Sequence, residues 1–96
     1  MSLEEILGSP GRIRVLKILA DHGEINITRL VRETGMHYRL VNKHVEVLKK
    51  HGIVVEKRFG RARIIALNRD NPLTRRILSI FTGGENAEGA DGRRDA

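Results

Sequence analysis

Residues 35–67, GMHYRLVNKHVEVLKKHGIVVEKRFGRARIIAL, carry the pattern that decides the fold. From about Tyr38 to Lys50, Val41, Val45 and Leu48 recur at i, i+4 and i+7, a stripe that a helix turns toward a core. Arg39, Asn42, Lys43, Glu46 and Lys50 fall on the opposite face. Gly52 ends this helix, and Ile53–Lys57 and Arg63–Leu67 are rich in β-branched residues, which suit strands. Arg58, Phe59, Gly60, Arg61 and Ala62 then form a basic turn between them, so the segment reads as an amphipathic helix at about 38–50 and a hairpin at about 54–67.

The charge is segregated onto this unit. Between His37 and Arg63 eight Lys or Arg face only Glu46 and Glu56, whereas Met1 to Met36 holds five charges of each sign. The whole chain of 96 residues carries a formal +6. Positive charge gathered on one helix and one hairpin is what a surface that meets a polyanion requires.

The elements that precede the hairpin follow from local signals. Ser2–Leu7 is a short amphipathic helix with Leu3, Ile6 and Leu7 on one side. Ser9 and Pro10 open a second helix in cap and first-turn positions, and Ile13, Leu16, Ile18, Leu19 and Ala20 supply its buried face. Asn26 caps a third helix with Ile27, Leu30 and Val31 inward, and Gly35 terminates it in a left-handed conformation. A last helix starts at Asn71 and Pro72 and carries Leu73, Ile77, Ile80 and Phe81 as its apolar stripe. From Gly83 on no large apolar residue occurs, and four acids against two arginines give the segment 83–96 a charge of −2. The chain therefore reads as one folded domain, 1–82, and a disordered tail, 83–96.

Two short helices joined through Gly35, the second with a polar outer face, describe a helix-turn-helix whose second helix fits the DNA major groove. The expected class is mainly α with a small β-hairpin wing, a winged helix-turn-helix. His37, Tyr38, Arg39, Asn42 and Lys43 occupy the leading turns of the fourth helix, within reach of base edges. Arg39 and Asn42 are the strongest base readers, because arginine pairs bidentately with guanine and asparagine with adenine. Lys49 and Lys50 suit phosphates, and Lys57, Arg58, Arg61 and Arg63 make the hairpin suited to the backbone or the minor groove. Tyr38 either reaches the nucleic acid or packs over the turn; His44 supports packing and phosphate placement. Phe59 is either an exposed wedge or a contact to a partner. Arg12, Arg14 and Lys17 read as a solvated helix face.

On these strings the chain resembles the ArsR-type winged helix-turn-helix transcriptional regulators, including small archaeal members. The resemblance spans roughly residues 9–68 and rests on SPGRIRVLKIL, TRLVRETGM, LVNKHVEVLKKHGIV and GRARIIAL. It implies a homodimer paired through the terminal helices, and DNA contact by His37, Arg39, Asn42, Lys43, Arg58 and Arg61. The stripe Leu73, Ile77, Ile80 and Phe81, with Leu3, Ile6 and Leu7, either pairs across that dimer or closes the monomer core. Metal-sensing members use cysteines near the start of the recognition helix, and this chain has none, which excludes thiolate sensing. His37, His44 and His51 recur every seven residues, about 10 Å apart along one helix, too far to share an ion.

The expected partners are double-stranded DNA and a second copy of the chain, with no cofactor, no metal and no membrane. A small-molecule or protein effector is left open. Neither a spanning segment nor a signal peptide is read, so a cytoplasmic location is expected. No carboxylate pair, activated nucleophile or phosphate loop stands out, which argues against an enzyme. Two other functions compete: a protein-interaction module of a larger complex, which needs no basic bias, and RNA binding, for which Tyr38, Phe59 and Phe81 are few stacking aromatics.

Overall fold

The computed structural model describes the backbone of residues 3–89 and the side chains of residues 3–82. The chain order is α1 (Leu3–Leu7), α2 (Pro10–His22), β1 (Glu24–Asn26), α3 (Ile27–Thr34), α4 (Tyr38–Lys50), β2 (Val54–Phe59), β3 (Ala62–Leu67) and α5 (Pro72–Gly89). The class is the expected one, a winged helix-turn-helix.

Local chemistry sets the helix ends. The Ser9 hydroxyl accepts from the Arg12 amide at 3.3 Å, and Asn26 Oδ1 accepts from the Thr28 amide at 2.8 Å, so each satisfies an amide that a helix start leaves unpaired. Gly35 adopts φ 72°, ψ 11°, and its amide donates to the Val31 carbonyl at 3.1 Å. This left-handed residue reverses the chain from α3 into α4, and a side chain there would be strained.

The sheet is antiparallel in the order β1-β3-β2. The three-residue β1 was not foreseen: Glu24, Ile25 and Asn26 pair with Ala66, Ile65 and Ile64 of the much later β3. The hairpin is also tighter than expected. Phe59 pairs with Ala62, leaving Gly60 and Arg61 as a two-residue loop with Gly60 at φ 61°.

The core gathers Val15, Leu16 and Leu19 of α2, Ile27 and Leu30 of α3, Val41, Val45 and Leu48 of α4, with Ile25, Ile53, Val54 and Ile65 from the sheet and its approach. Val15 stands where Ile13 and Ala20 were expected, and both of those are only partly covered.

Two residues expected at a dimer interface correct that assignment. Ile6 and Ile77 are 0% and 1% exposed within a single chain, so α1 and α5 help to close the monomer core. Leu3, Leu7, Leu73 and Phe81 are partly covered and pack against the same core, whereas Ile80 is 51% exposed. Asn71 fixes the start of α5: its Oδ1 accepts from the Leu73 amide at 2.9 Å, and its Nδ2 donates to the carbonyls of His51 and Gly52. Helix α5 continues to Gly89, past the expected boundary at residue 83. Residues 90–96 of the expected tail lie outside the described residues.

Candidate nucleic-acid interface

Helix α4 begins at His37, which takes the cap position with φ −63°, ψ 145° but offers no side-chain hydrogen bond to the helix. Thr34 shapes the approach, its hydroxyl donating to the Val31 carbonyl at 2.8 Å and accepting from the Met36 amide at 3.1 Å. Val41, Val45 and Leu48 are buried as the spacing requires, which turns Arg39, Lys43 and Lys50 outward, all exposed. Among the described residues these three, with Arg61 at the wing tip, take part in no ion pair.

Lys49, Arg58 and Arg63 are engaged around Glu56 of β2. Its Oε2 accepts from Arg58 Nε at 2.7 Å and Arg63 Nε at 2.8 Å, and its Oε1 accepts from Lys49 Nζ at 3.1 Å and Arg63 NH2 at 2.9 Å. The β2–β3 register sets Arg58 directly opposite Arg63, an unfavourable like-charge pair that Glu56 offsets from two residues away on the same face. The Glu56 side chain is 7% exposed, covered mainly by these cations. The hydrogen bond from Arg63 is the largest of several influences holding its carboxyl well below the usual carboxylate range; burial opposes them. The same bond raises the Arg63 guanidinium further above its already high value.

Arg63 also reaches α4. Its NH1 donates to the Tyr38 hydroxyl at 2.6 Å and to Asn42 Oδ1 at 2.8 Å, and its NH2 lies 3.6 Å from Glu46 Oε2. With a side chain only 15% exposed, Arg63 is a brace between wing and helix, and its expected role as a direct contact is corrected. Four of its five N–H donors are engaged by Glu56, Tyr38 and Asn42, and the NH2 that carries the fifth lies 3.6 Å from Glu46 Oε2. The Tyr38 hydroxyl is fixed by the wing while half the residue stays exposed.

Glu56 was missed in the sequence because a lone acid among strand cations carries no period of its own. The hairpin register would have found it, since a two-residue loop fixes which residues share its face. Lys57 pairs with Glu24 of β1 at 2.7 Å, which removes it from the free cations too.

The histidines have separate surroundings. His37 is exposed, His51 Nε2 lies 3.1 Å from Glu5 Oε1, and His44 is buried with no partner for Nδ1. Burial, then the charges of Arg12 and Lys43, hold the His44 imidazole below its ordinary value. Only 6% of the residue is exposed, so it packs against the domain. Among the described residues no cluster of metal-ligating side chains occurs, and no helix is long and apolar enough to cross a membrane.

Fold and site define a winged helix-turn-helix domain, and residues 12–55 match the family model described as winged helix-turn-helix DNA-binding. The solved structures similar to the chain include an ArsR-family transcriptional regulator and a possible one. A homodimeric winged helix-turn-helix DNA-binding domain from Mycobacterium bovis, a possible ArsR-family transcriptional regulator, aligns with a TM-score of 0.73 at 20% identity, covering 95% of this chain and 82% of its own. The AntR antimony-specific transcriptional repressor aligns at 0.70 and 24% identity, over 82% and 69% of the two chains. In sequence, an uncharacterised HTH-type transcriptional regulator of Methanocaldococcus jannaschii is 32% identical over 53 residues, 55% of this chain and 60% of its own length. The chain thus spans 60% of the length of that relative.

Proposed function

We propose that this chain is a sequence-specific, double-stranded DNA-binding transcriptional regulator of ArsR type, acting as a homodimer. Helix α4 enters the major groove, and the β2–β3 wing follows the backbone or the minor groove. The observation that carries this reading is the separation of cations into two sets. Arg39, Lys43, Lys50 and Arg61 face solvent with no ion pair among the described residues, while Lys49, Arg58 and Arg63 are held by Glu56. A surface that keeps four cations free beside a braced wing suits a polyanion. The homodimeric neighbour from M. bovis supports the dimer, and the partly covered Leu3, Leu7, Leu73 and Phe81 with exposed Ile80 offer the apolar face for it.

His37, Tyr38, Arg39, Asn42 and Lys43 would meet bases and nearby phosphates, Lys50 phosphates, and Arg58 and Arg61 the backbone or the minor groove. Two substitutions test these roles. Arg39→Ala is expected to weaken a selected site more than random duplex, whereas Arg61→Ala should weaken both equally and lower the log–log salt slope by about 0.9 if it meets one phosphate. Equal loss on every sequence for both variants refutes the assignment.

A protein-interaction module is the second reading, favoured by exposed Leu40 on α4 and by Phe59, 67% exposed at the wing tip.

A further inference from the structure

We propose that Arg63 makes Asn42 a reader of hydrogen-bond acceptors, guanine above all, in place of the adenine reader its residue type suggests. The inference rests on the DNA-binding reading and deepens it. An asparagine amide has one acceptor end and one donor end, and bidentate pairing with adenine uses both: the oxygen accepts from N6 and the nitrogen donates to N7. In this protein one of the oxygen's two lone pairs is taken, and the oxygen is turned toward the wing. Arg63 NH1 donates to Asn42 Oδ1 at 2.8 Å, and a guanidinium has no acceptor, so the amide cannot turn its nitrogen toward Arg63 without setting donor against donor. Arg63 itself is held by two bonds to Glu56, so the amide is oriented from the sheet.

What Asn42 can present outward is its Nδ2 amino group, which has no protein partner among the described residues and is not sealed from solvent. Tyr38, one helical turn earlier, is set the same way: its oxygen accepts from Arg63 NH1 at 2.6 Å, which leaves its proton to be donated elsewhere. Together they present donors outward beside the free cations Arg39 and Lys43. In the major groove guanine offers two adjacent acceptors, N7 and O6, whereas adenine offers N7 beside an amino group that would oppose Nδ2. Thymine offers O4 alone. Arg63 and Glu56 are therefore positioning residues for base choice and touch no base themselves.

The test is selection from a pool of random duplexes, followed by competition binding with every single-base change of the selected sequence. The native protein is expected to prefer guanine at one position by roughly five- to tenfold over adenine, the low end for a side-chain contact to a base edge. Asn42→Ala should flatten preference at that position alone. Asn42→Asp keeps an acceptor for Arg63 but turns a second oxygen outward, so the preferred base should become cytosine, whose N4 donates. Arg63→Leu frees the amide to rotate, and adenine should gain at the same position; circular dichroism would confirm that each variant is folded. Adenine preferred by the native protein at the Asn42-dependent position overturns the inference, as does an Arg63→Leu profile identical to the native one in folded protein. Absence of duplex binding at low salt is a different failure, which removes the regulator reading itself.

Discussion

Glu56→Gln tests the brace between wing and recognition helix. Each carboxylate oxygen of Glu56 accepts from two cationic donors, so whichever way a glutamine amide is placed, its NH2 end faces two N–H groups. Two charge-assisted bonds and the compensating charge are lost. Breaking a fully buried pair costs about 3–5 kcal/mol. Glu56 is covered by long cationic side chains near the surface and not sunk in the apolar core, so water screens part of the effect, and roughly 1–2 kcal/mol is the expected loss. For a domain of this size that corresponds to a fall in Tm of about 4–16 °C, read by thermal denaturation followed by circular dichroism. The sign with pH is fixed. The folded-state pKa of Glu56 is depressed, so its stabilisation is complete above the ordinary carboxylate value of 4.5 and is lost as pH falls through and below it. The gap between native and variant should therefore be full at pH 7 and narrow progressively below about pH 4.5. A variant that melts with the native protein at pH 7 and low salt, or a gap that widens on acidification, refutes the reasoning.

Other perturbations separate core from surface. Ile77→Ala should destabilise by about 2–5 kcal/mol in chemical denaturation, because the side chain is fully enclosed within one chain. Ile80→Ser should leave the monomer's stability nearly unchanged and raise the dimer dissociation constant in sedimentation equilibrium; unaltered association would remove α5 from the proposed interface. Gly11→Ala would place a Cβ 2.9 Å from His44 Nε2 and 3.3 Å from Met36 Sδ. The clash, about 1–3 kcal/mol, exceeds the helix-propensity gain of up to about 1 kcal/mol, so a net loss near 1 kcal/mol is expected in a urea melt. A stabilised variant would show that the buried imidazole moves aside.

Helices α2, α3 and α4 were legible because their determinants are local. Ser9, Asn26 and Gly35 are caps whose chemistry lies within a few residues, and Val41, Val45 and Leu48 carry the helical period unbroken. What was misread depends on distant pairing. Strand β1 is three residues long and acquires its partner only when β3 returns forty residues later. The place of Ile6 and Ile77 stayed open for a related reason: an apolar stripe states that it must be covered but not by what, and here the covering surface belongs to the same chain. Among the site residues, outward-facing Arg39, Lys43 and Lys50 follow from helical spacing alone. Arg63 does not, since nothing near it in sequence shows that a two-residue loop will lay it against Glu56 and aim it at Asn42 and Tyr38. The composition changes at Gly83, whereas the backbone of α5 runs on to Gly89.

The central claim is that the free cations of α4 and the wing tip meet duplex DNA. Fluorescence anisotropy with random-sequence duplex and with single-stranded RNA, each at several salt concentrations, tests it most directly. Preference for the duplex, with affinity falling steeply as salt displaces several counterions, is the result expected. No duplex binding at low salt, or an equal grip on single-stranded RNA, would contradict it and leave the winged helix to a protein or RNA partner.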